Sequence, residues 1–308
     1  MIDPRISSLI AHIGPAIISK LDDPNVMEIL LNPDGNLWVE EFGQPMKIFG
    51  TLSSVKASLV LKSIAGFHDA VVNADHPILE CELPIDGSRF EGIIPPVTAA
   101  PTFTIRKKAV KIFTLHEYID SGTLTHAQYE CLIKAIASHK NMLIVGGTGS
   151  GKTTFANALI DAMIQYDEND RIIIIEDTNE IQCSAPNFVA LRANTNTTMN
   201  QLLRATLRLR PDRILIGEVR GGEALALLKA WNTGHPGGIA TIHADSAVMG
   251  LSRLEDCISE ATATLNKALI ANAIDVIIFI KKNREGRRIE EIIEVTGFEA
   301  GKYQTQFI

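Results

Sequence analysis

The stretch Met142-Leu143-Ile144-Val145-Gly146-Gly147-Thr148-Gly149-Ser150-Gly151-Lys152-Thr153-Thr154 decides how this chain reads. Four continuously apolar residues predict a strand buried on both faces, and an apolar pattern at helical spacing follows over residues 153–164. Between them, residues 146–153 match G-x-x-x-x-G-K-[ST] in full. Glycines there let backbone N–H groups converge on phosphate oxygens, which a Cβ would obstruct. Lys152 then reaches the β- and γ-phosphates, Thr153 offers its hydroxyl to Mg²⁺, and the helix turns its positive end toward the anion. Gly146, Gly147, Thr148, Gly149, Ser150, Gly151, Lys152, Thr153 and Thr154 are thus the candidate nucleotide-binding residues. Lys152 is expected at a loop tip where it packs little. A merely flexible glycine turn is the bland alternative, and the flanking strand and helix patterns argue against it.

Outward from this loop, short apolar runs at 172–175, 214–216, 239–242 and 276–280 alternate with helical patterns at 200–209 and 223–231. Such strands belong to a parallel sheet covered by helices, an α/β fold. Thr114-x-x-Glu117 and Thr125-x-x-Gln128 have capping-box spacing and should open helices. Residues 281–288 (KKNREGRR) read as a charged hairpin turn in water. Upstream, residues 6–21 read as one helix broken by Asp23-Pro24-Asn25, residues 36–41 as a hairpin arm before Gly43, and residues 55–67 as a second helix. Residues 86–92 with Pro95-Pro96 read as turns linking strands, ending in a strand at Thr102–Arg106. The expectation is a smaller α+β domain over residues 1–110 and a P-loop domain over residues 111–308, with the boundary near 108–113.

Composition narrows the classes. Of 308 residues, 46% are apolar and 21% charged, the balance of a folded globular protein. A net charge of −7 and the lack of an aromatic-basic stripe weigh against a nucleic-acid coat protein or a translocase that grips single strands. Sequence-specific nucleic-acid binding is not expected. Cys81, Cys131, Cys183 and Cys257 show no C-x-x-C spacing, so neither a zinc module nor a disulfide scaffold is suggested. The first residues, MIDPRISSLIAHIG, lack the basic start of a signal peptide, and no apolar run reaches the ~18 residues needed to cross a bilayer. A soluble protein of a reducing compartment is expected.

Two strands run into carboxylates: residues 172–175 into Glu176-Asp177-Thr178-Asn179-Glu180, and residues 214–216 into Gly217-Glu218. Ligands of open α/β sheets sit at the carboxyl ends of the strands, which puts both acids beside the loop. Triphosphate hydrolysis needs one carboxylate to polarise water and another to hold the metal's shell. Gly217 stands where the usual metal-binding Asp would be, so these residues leave open which acid does which. Arg204, Arg208, Arg210 and Arg213 crowd one segment, with Arg220 beyond. Like charges at Arg204 and Arg208 repel on a bare helix, so an anion should face them: a phosphate in a neighbouring subunit, or the acidic strand ends of this one. His235 and His243 flank residues 239–242, are expected on the nucleotide side, and are candidates to sense phosphate or pair with an acid. They have no metal-ligand company.

In their order along the chain these residues resemble the secretion traffic ATPases, the hexameric motors of type II and type IV secretion and type IV pili. The resemblance is carried by the loop at 146–153, the acidic box at 176–180, LLRATLRLRPDRILIGEVRGGEA, TGHPGGIATIHA, and upstream GSRFEGIIPPV and PTFTIRKK, spanning about residues 75–260. The wording of the boxes is most similar to the TrbB-type conjugative transfer ATPases. The resemblance implies a RecA-like second domain, a homo-hexamer, ATP and Mg²⁺, and partners among the inner-membrane components of a secretion machine. It implies a cytoplasmic protein, with room for a peripheral seat at the cytoplasmic face of the inner membrane. It makes Glu176 the water-activating base and Glu218 the Mg²⁺-associated acid beside Thr153. Arg89 and Arg106 become phosphate-contacting residues of the first domain, and Arg204 and Arg208 arginines near the site. Pilus assembly, retraction and type II secretion share this chemistry and remain alternatives, as does a RecA-like nucleic-acid translocase. A GTP switch or small-molecule kinase is disfavoured, because Asn266-Lys267-Ala268-Leu269 lacks the Asp of a guanine signal.

Overall fold

The computed structural model describes residues 3–41, 44–107, 112–194, 196–283 and 286–308. The chain divides into two compact units, Met1–Val110 and Lys111–Ile308. The first is α+β and the second α/β. Residues 108–111 of the expected linker, Gly43 after the second strand, and residues 284–285 at the tip of the charged hairpin lie outside the described residues.

The first unit runs α1 (Pro4–Ile13), α2 (Pro15–Asp22), β1 (Val26–Leu31), β2 (Asn36–Glu41), β3 (Lys47–Thr51), α3 (Ser54–Phe67), β4 (Ile78–Glu82), β5 (Arg89–Ile93) and β6 (Thr102–Arg106). Its strands form one antiparallel sheet in the order β3-β2-β1-β6-β5-β4. Residues 6–21 are two helices rather than one. Gly14, at φ +83°, leaves the helical path, and Pro15, lacking an N–H, starts the next helix at the position where it needs none. Apolar spacing continues across the break and hides it. Residues 89–93 are a strand rather than turns. Gly92 reads as a turn signal, but it serves packing: a Cβ there would stand 2.0 Å from Leu61 Cδ2 of α3.

The second unit continues with α4 (Leu115–Asp120), α5 (His126–Ala137), β7 (Met142–Val145), α6 (Lys152–Tyr166), β8 (Ile172–Glu176), β9 (Phe188–Arg192), α7 (Met199–Thr206), β10 (Arg213–Ile216), α8 (Glu223–Asn232), β11 (Ile239–Ile242), α9 (Ala247–Ser259), α10 (Lys267–Ala273), β12 (Val276–Asn283), β13 (Gly286–Glu299) and β14 (Lys302–Phe307). The sheet order is β14-β13-β12-β7-β11-β10-β8-β9, parallel from β12 to β9 and antiparallel through β13 and β14. Leu143 and Val145 of β7 enter one core with Leu227, Leu251 and Leu254 of α8 and α9, whereas Met142 and Ile144 enter the other with Leu132, Phe155 and Leu159 of α5 and α6. Burial on both faces is why β7 is apolar at every position. Both expected capping boxes form, and a third, Thr198 with Gln201, starts α7. In this unit the strands that escape sequence reading are β9, β13 and β14, as β1, β3 and β4 do in the first. β13 alternates between covered and exposed positions and β14 is mostly solvent-facing, so neither presents a long apolar run. β9 does carry one, Phe188–Leu191, but at the sheet edge Phe188 and Ala190 stand exposed.

Candidate nucleotide site at the carboxyl edge of the sheet

The loop from Val145 to Lys152 lies between β7 and α6, and three of its four glycines are required by geometry. Gly149 (φ +69°) and Gly151 (φ +97°) occupy the left-handed region, and a Cβ on Gly146 would lie 2.4 Å from the Ile280 carbonyl oxygen of β12. Gly147 faces open space. Thr148 is exposed, Thr154 lies half-buried on the first turn of α6, and Ser150 is buried with its hydroxyl lacking a partner among the described residues. Lys152 corrects the sequence expectation. It is 7% exposed, and its Nζ donates to the carbonyls of Gly146 (2.9 Å) and Gly147 (3.1 Å). It starts a helix rather than standing at a loop tip, so its ammonium is held under the loop by the loop's own carbonyls.

From Lys152 a polar chain crosses to the end of β10. Lys152 Nζ lies 3.3 Å from His243 Nδ1, and His243 Nε2 lies 2.7 Å from Glu218 Oε1. Burial, and next the Lys152 charge, push the His243 pKa below its ordinary value. The neutral ring therefore donates from Nε2 to Glu218 and accepts from Lys152 at Nδ1. Glu218 Oε2 accepts from Arg220 Nε at 2.6 Å, and Arg220 Nη1 pairs with Asp177 Oδ2. Arg220 thus ties together the two acidic segments that sequence reading treated separately.

Glu176 ends β8 and is 4% exposed. Its Oε1 accepts backbone N–H groups from Ile181 (2.9 Å) and Glu180 (3.1 Å). Desolvation outweighs these bonds and pushes its pKa up to about 7. Gly217 now has a reason: a Cβ there would stand 2.9 Å from Glu176 Cγ. The missing Asp is thus the space in which Glu176 lies. Thr153 Oγ1 donates to Glu180 Oε2 (3.3 Å), and Asn157, buried on α6, holds the same segment through Gln182 N–H (3.0 Å). A buried Asn inside the apolar run Phe155–Leu159 was the available signal for that anchor.

Among the described residues, no group of three His, Cys, Asp or Glu is placed to hold a metal by itself. A hydroxyl and carboxylates beside a phosphate cradle are hard oxygen donors of the kind that share Mg²⁺ with phosphates. Thr153, Glu180 and Glu218 fit that ion.

Other candidates fall elsewhere. His235 precedes β11 and lies at the amino edge of the sheet, opposite His243, not on the nucleotide side. The glycines after it make room for packing: a Cβ on Gly237 would meet Arg213 Nη1 at 2.7 Å, and one on Gly238 would meet Trp231 Nε1 at 2.2 Å. Arg213 is fully buried at that same edge, with its Nε 2.5 Å from Asp170 Oδ2. Helix α7 ends at Thr206, so Arg208 is not a helical neighbour of Arg204. Both are exposed, and among the described residues neither pairs with the acidic strand ends, which removes that choice of partner. In the first unit, Arg89 and Arg106 are direct partners across β5 and β6. Arg89 lies 3.7 Å from Glu80 and Arg106 lies 3.7 Å from Glu28.

Comparison with known proteins agrees with this layout. The family model described as "Type II/IV secretion system protein" matches residues 12–291. A protein named "Probable conjugal transfer protein TrbB" from Sinorhizobium fredii is 47% identical over 98% of this chain and 94% of its own length. Among solved structures, the VirB11 ATPase of the Brucella suis type IV secretion system, in complex with sulphate, is 27% identical over 94% of each chain with a TM-score of 0.50. The Legionella pneumophila ATPase DotB shares the fold, with a TM-score of 0.65 at 21% identity over 88% of this chain and 77% of its own. With a family model running through both units and nearly half of all residues shared with one relative along almost the whole chain, this protein belongs to the type II/IV secretion system protein family.

Proposed function

We infer that the protein is an ATPase that hydrolyses Mg-ATP as a hexameric motor and energises conjugal transfer through a type IV secretion machine. The observation that carries the reading is the continuous path from the phosphate loop through Lys152 and His243 to Glu218. It couples the group that would hold the γ-phosphate to a carboxylate two strands away. The relative named as a conjugal transfer protein supports the pathway. The Brucella suis relative, called an ATPase and crystallised with a tetrahedral anion, supports the chemistry.

Thr153 and Glu218 would hold Mg²⁺, which neutralises phosphate charge when bound. The chain's own residues do the rest. Lys152 exchanges its two carbonyl acceptors for phosphate oxygens, and the N-terminus of α6 faces the same charge. Glu176, with a pKa near 7, is matched to accept a proton from the attacking water at neutral pH. His243 and Arg220 fix the Glu218 carboxylate in position. Arg89 and Arg106 stand directly opposite on neighbouring strands, beside Glu80 and Glu28, and offer two guanidinium groups suited to a phosphate. Exposed Arg204 and Arg208 suit a phosphate or acidic group of an adjacent subunit in a ring. No helix among the described residues is long and apolar enough to cross a membrane.

The test is ATP turnover by the full chain across protein concentration, with light scattering in parallel. Specific activity should rise as assemblies form, and Lys152→Ala should abolish turnover. A fully active monomer overturns the motor, and a Lys152→Ala variant working at the wild-type rate overturns the site. Because Lys152 is buried, a thermal melt of the variant separates lost chemistry from lost fold.

A further inference from the structure

The charged hairpin of β12 and β13 is not a bystander in water. Strand β12 lies directly beside β7, in parallel, on the side away from β11. It therefore passes the phosphate loop on the flank opposite His243 and Glu218, close enough that Gly146 has no room for a side chain against Ile280. Arg287 pairs with Lys282 in the hairpin and shares its strand face with Ile289, two residues on. Ile289 is anchored: its N–H donates to the Thr123 carbonyl (2.9 Å), its carbonyl accepts from Gln128 Nε2 (3.1 Å), and its side chain lies in the core. The anchor directs Arg287 onto the loop. Its Cδ and Nε lie 3.0 and 3.1 Å from where a Cβ on Gly151 would stand, and its Nη2 donates a long 3.4 Å hydrogen bond to the Gly149 carbonyl.

This is an awkward place for a cation. Gly151 caps the N-terminus of α6, where the helix dipole is positive, and Lys152 is the next residue. A guanidinium, an ammonium and a helix N-terminus converge on one loop, and an anion among them turns repulsion into attraction.

We propose that Arg287 is a nucleotide-binding residue acting within its own subunit, which leaves the Gly149 carbonyl to grip the phosphates nearer the nucleoside. This rests on the ATPase reading and extends it. The flank matters. Lys152, His243 and Glu218 gather where the terminal phosphate must sit, whereas Arg287 comes from the other side of β7. Its contact is with the part that ATP and ADP share. Binding energy spent equally on substrate and product shows in affinity rather than in the chemical step.

The experiment measures affinity of the full chain for ATP and for ADP by fluorescence, with steady-state turnover alongside, for wild type, Arg287→Ala, Arg287→Lys and, as a control, Lys152→Ala. Arg287→Ala should weaken ATP and ADP by a similar factor, about tenfold, and raise KM more than it lowers kcat. Arg287→Lys should recover part of the affinity, because a point charge replaces a bidentate fork. Unchanged affinity for both nucleotides would overturn the proposal and leave Arg287 as a brace for the loop. A loss confined to ATP, or to kcat, would overturn it too, since Arg287 would then act at the terminal phosphate. Should Lys152→Ala leave nucleotide affinity and turnover intact, the ATPase reading itself fails, an outcome distinct from the failure of Arg287 alone. Thermal melts of both Arg287 variants guard against misfolding, and the lysine variant keeps the proposal testable if the alanine variant melts early.

Discussion

The two edges of the eight-stranded sheet carry the same kinds of side chain and do opposite things with them. At the amino edge, Arg213 is wholly buried. It meets Asp170 at 2.5 Å, the Gly237 carbonyl at 3.2 Å and His139 Nε2 at 3.2 Å. Beside it Asp275 takes both Lys140 Nζ (2.9 Å) and the Asn141 N–H (2.8 Å). Each charge there has its partner, and the glycines fit around them. At the carboxyl edge the arginine and the histidine stand half in solvent, Arg220 at 53% and His243 at 46%, while Glu176 lies buried with a raised pKa. The first edge is a closed set of ion pairs that holds strand ends together. The second is a set of ion pairs whose basic members stand half in solvent beside the phosphate loop. Composition does not separate them; the exposure of their basic groups does.

Three experiments would break or sharpen that contrast. The largest effect belongs to Glu176→Gln. Turnover should fall by about 10²–10⁴-fold, the usual size of a general base's contribution, while ATP still binds. The same variant should be more stable than wild type at high pH. Its folded pKa of about 7 lies above the ordinary 4.5, so the folded state holds the proton more tightly. That contribution to stability is complete below pH 4.5 and is lost as pH rises through 7. Removing the titrating group should therefore stabilise the fold by about 3 kcal/mol at pH 8 and by little at pH 4, an order-of-magnitude figure from linkage. Denaturant melts at the two pH values check it, and equal melts would mean that Glu176 is not strained.

Next comes Arg213→Ala at the opposite edge. Removing the guanidinium leaves the mostly covered Asp170 with His139 Nε2, at 3.4 Å, as its remaining ion-pair partner, so stability should drop by about 3 kcal/mol. Nucleotide affinity of the folded fraction should not change. A selective loss of nucleotide binding with an unaltered melt would show that the amino edge is not merely structural. The smallest pair is the histidines. His243→Ala cuts the path between Lys152 and Glu218 and should slow turnover by roughly tenfold, at the low end of what a single polar contact supplies in catalysis. His235→Ala should change it by less than about twofold, because this half-buried ring precedes β11 at the edge opposite the phosphate loop. Equal losses would put both residues on one functional surface and undo the assignment to separate edges.

Much of this was legible in the chain. Residues 142–154 announce a strand, a glycine turn and a helix because each signal is local: continuous apolar residues, left-handed turn positions and a Lys-Thr pair at fixed spacing. Carboxylates at the ends of β8 and β10 follow from the same logic, since a run of Ile and Leu stops where the sheet does. The break at Gly14-Pro15 was hidden because apolar spacing continues through it. Gly92 was misread because a glycine that opens a turn and one that admits Leu61 look alike in sequence. His235 and His243 could not be told apart either. They lie eight residues apart around a four-residue strand, and only the strand's direction sends them to opposite edges.

Local pattern by itself therefore determined the phosphate loop, the parallel core and the capped helices, because backbone geometry and periodicity act over a few neighbouring residues; the family came from resemblance of the ordered boxes, not from periodicity. Tertiary structure alone decided the partners: Arg220 between Glu218 and Asp177, Thr153 with Glu180, Gly217 yielding its space to Glu176, and Arg287 over the N-terminus of α6. Charges interact through space, across strands that are neighbours in the sheet but far apart in the chain. Burial, which sets whether Glu176 holds its proton near neutrality, is likewise a property of everything packed around a residue rather than of the residue.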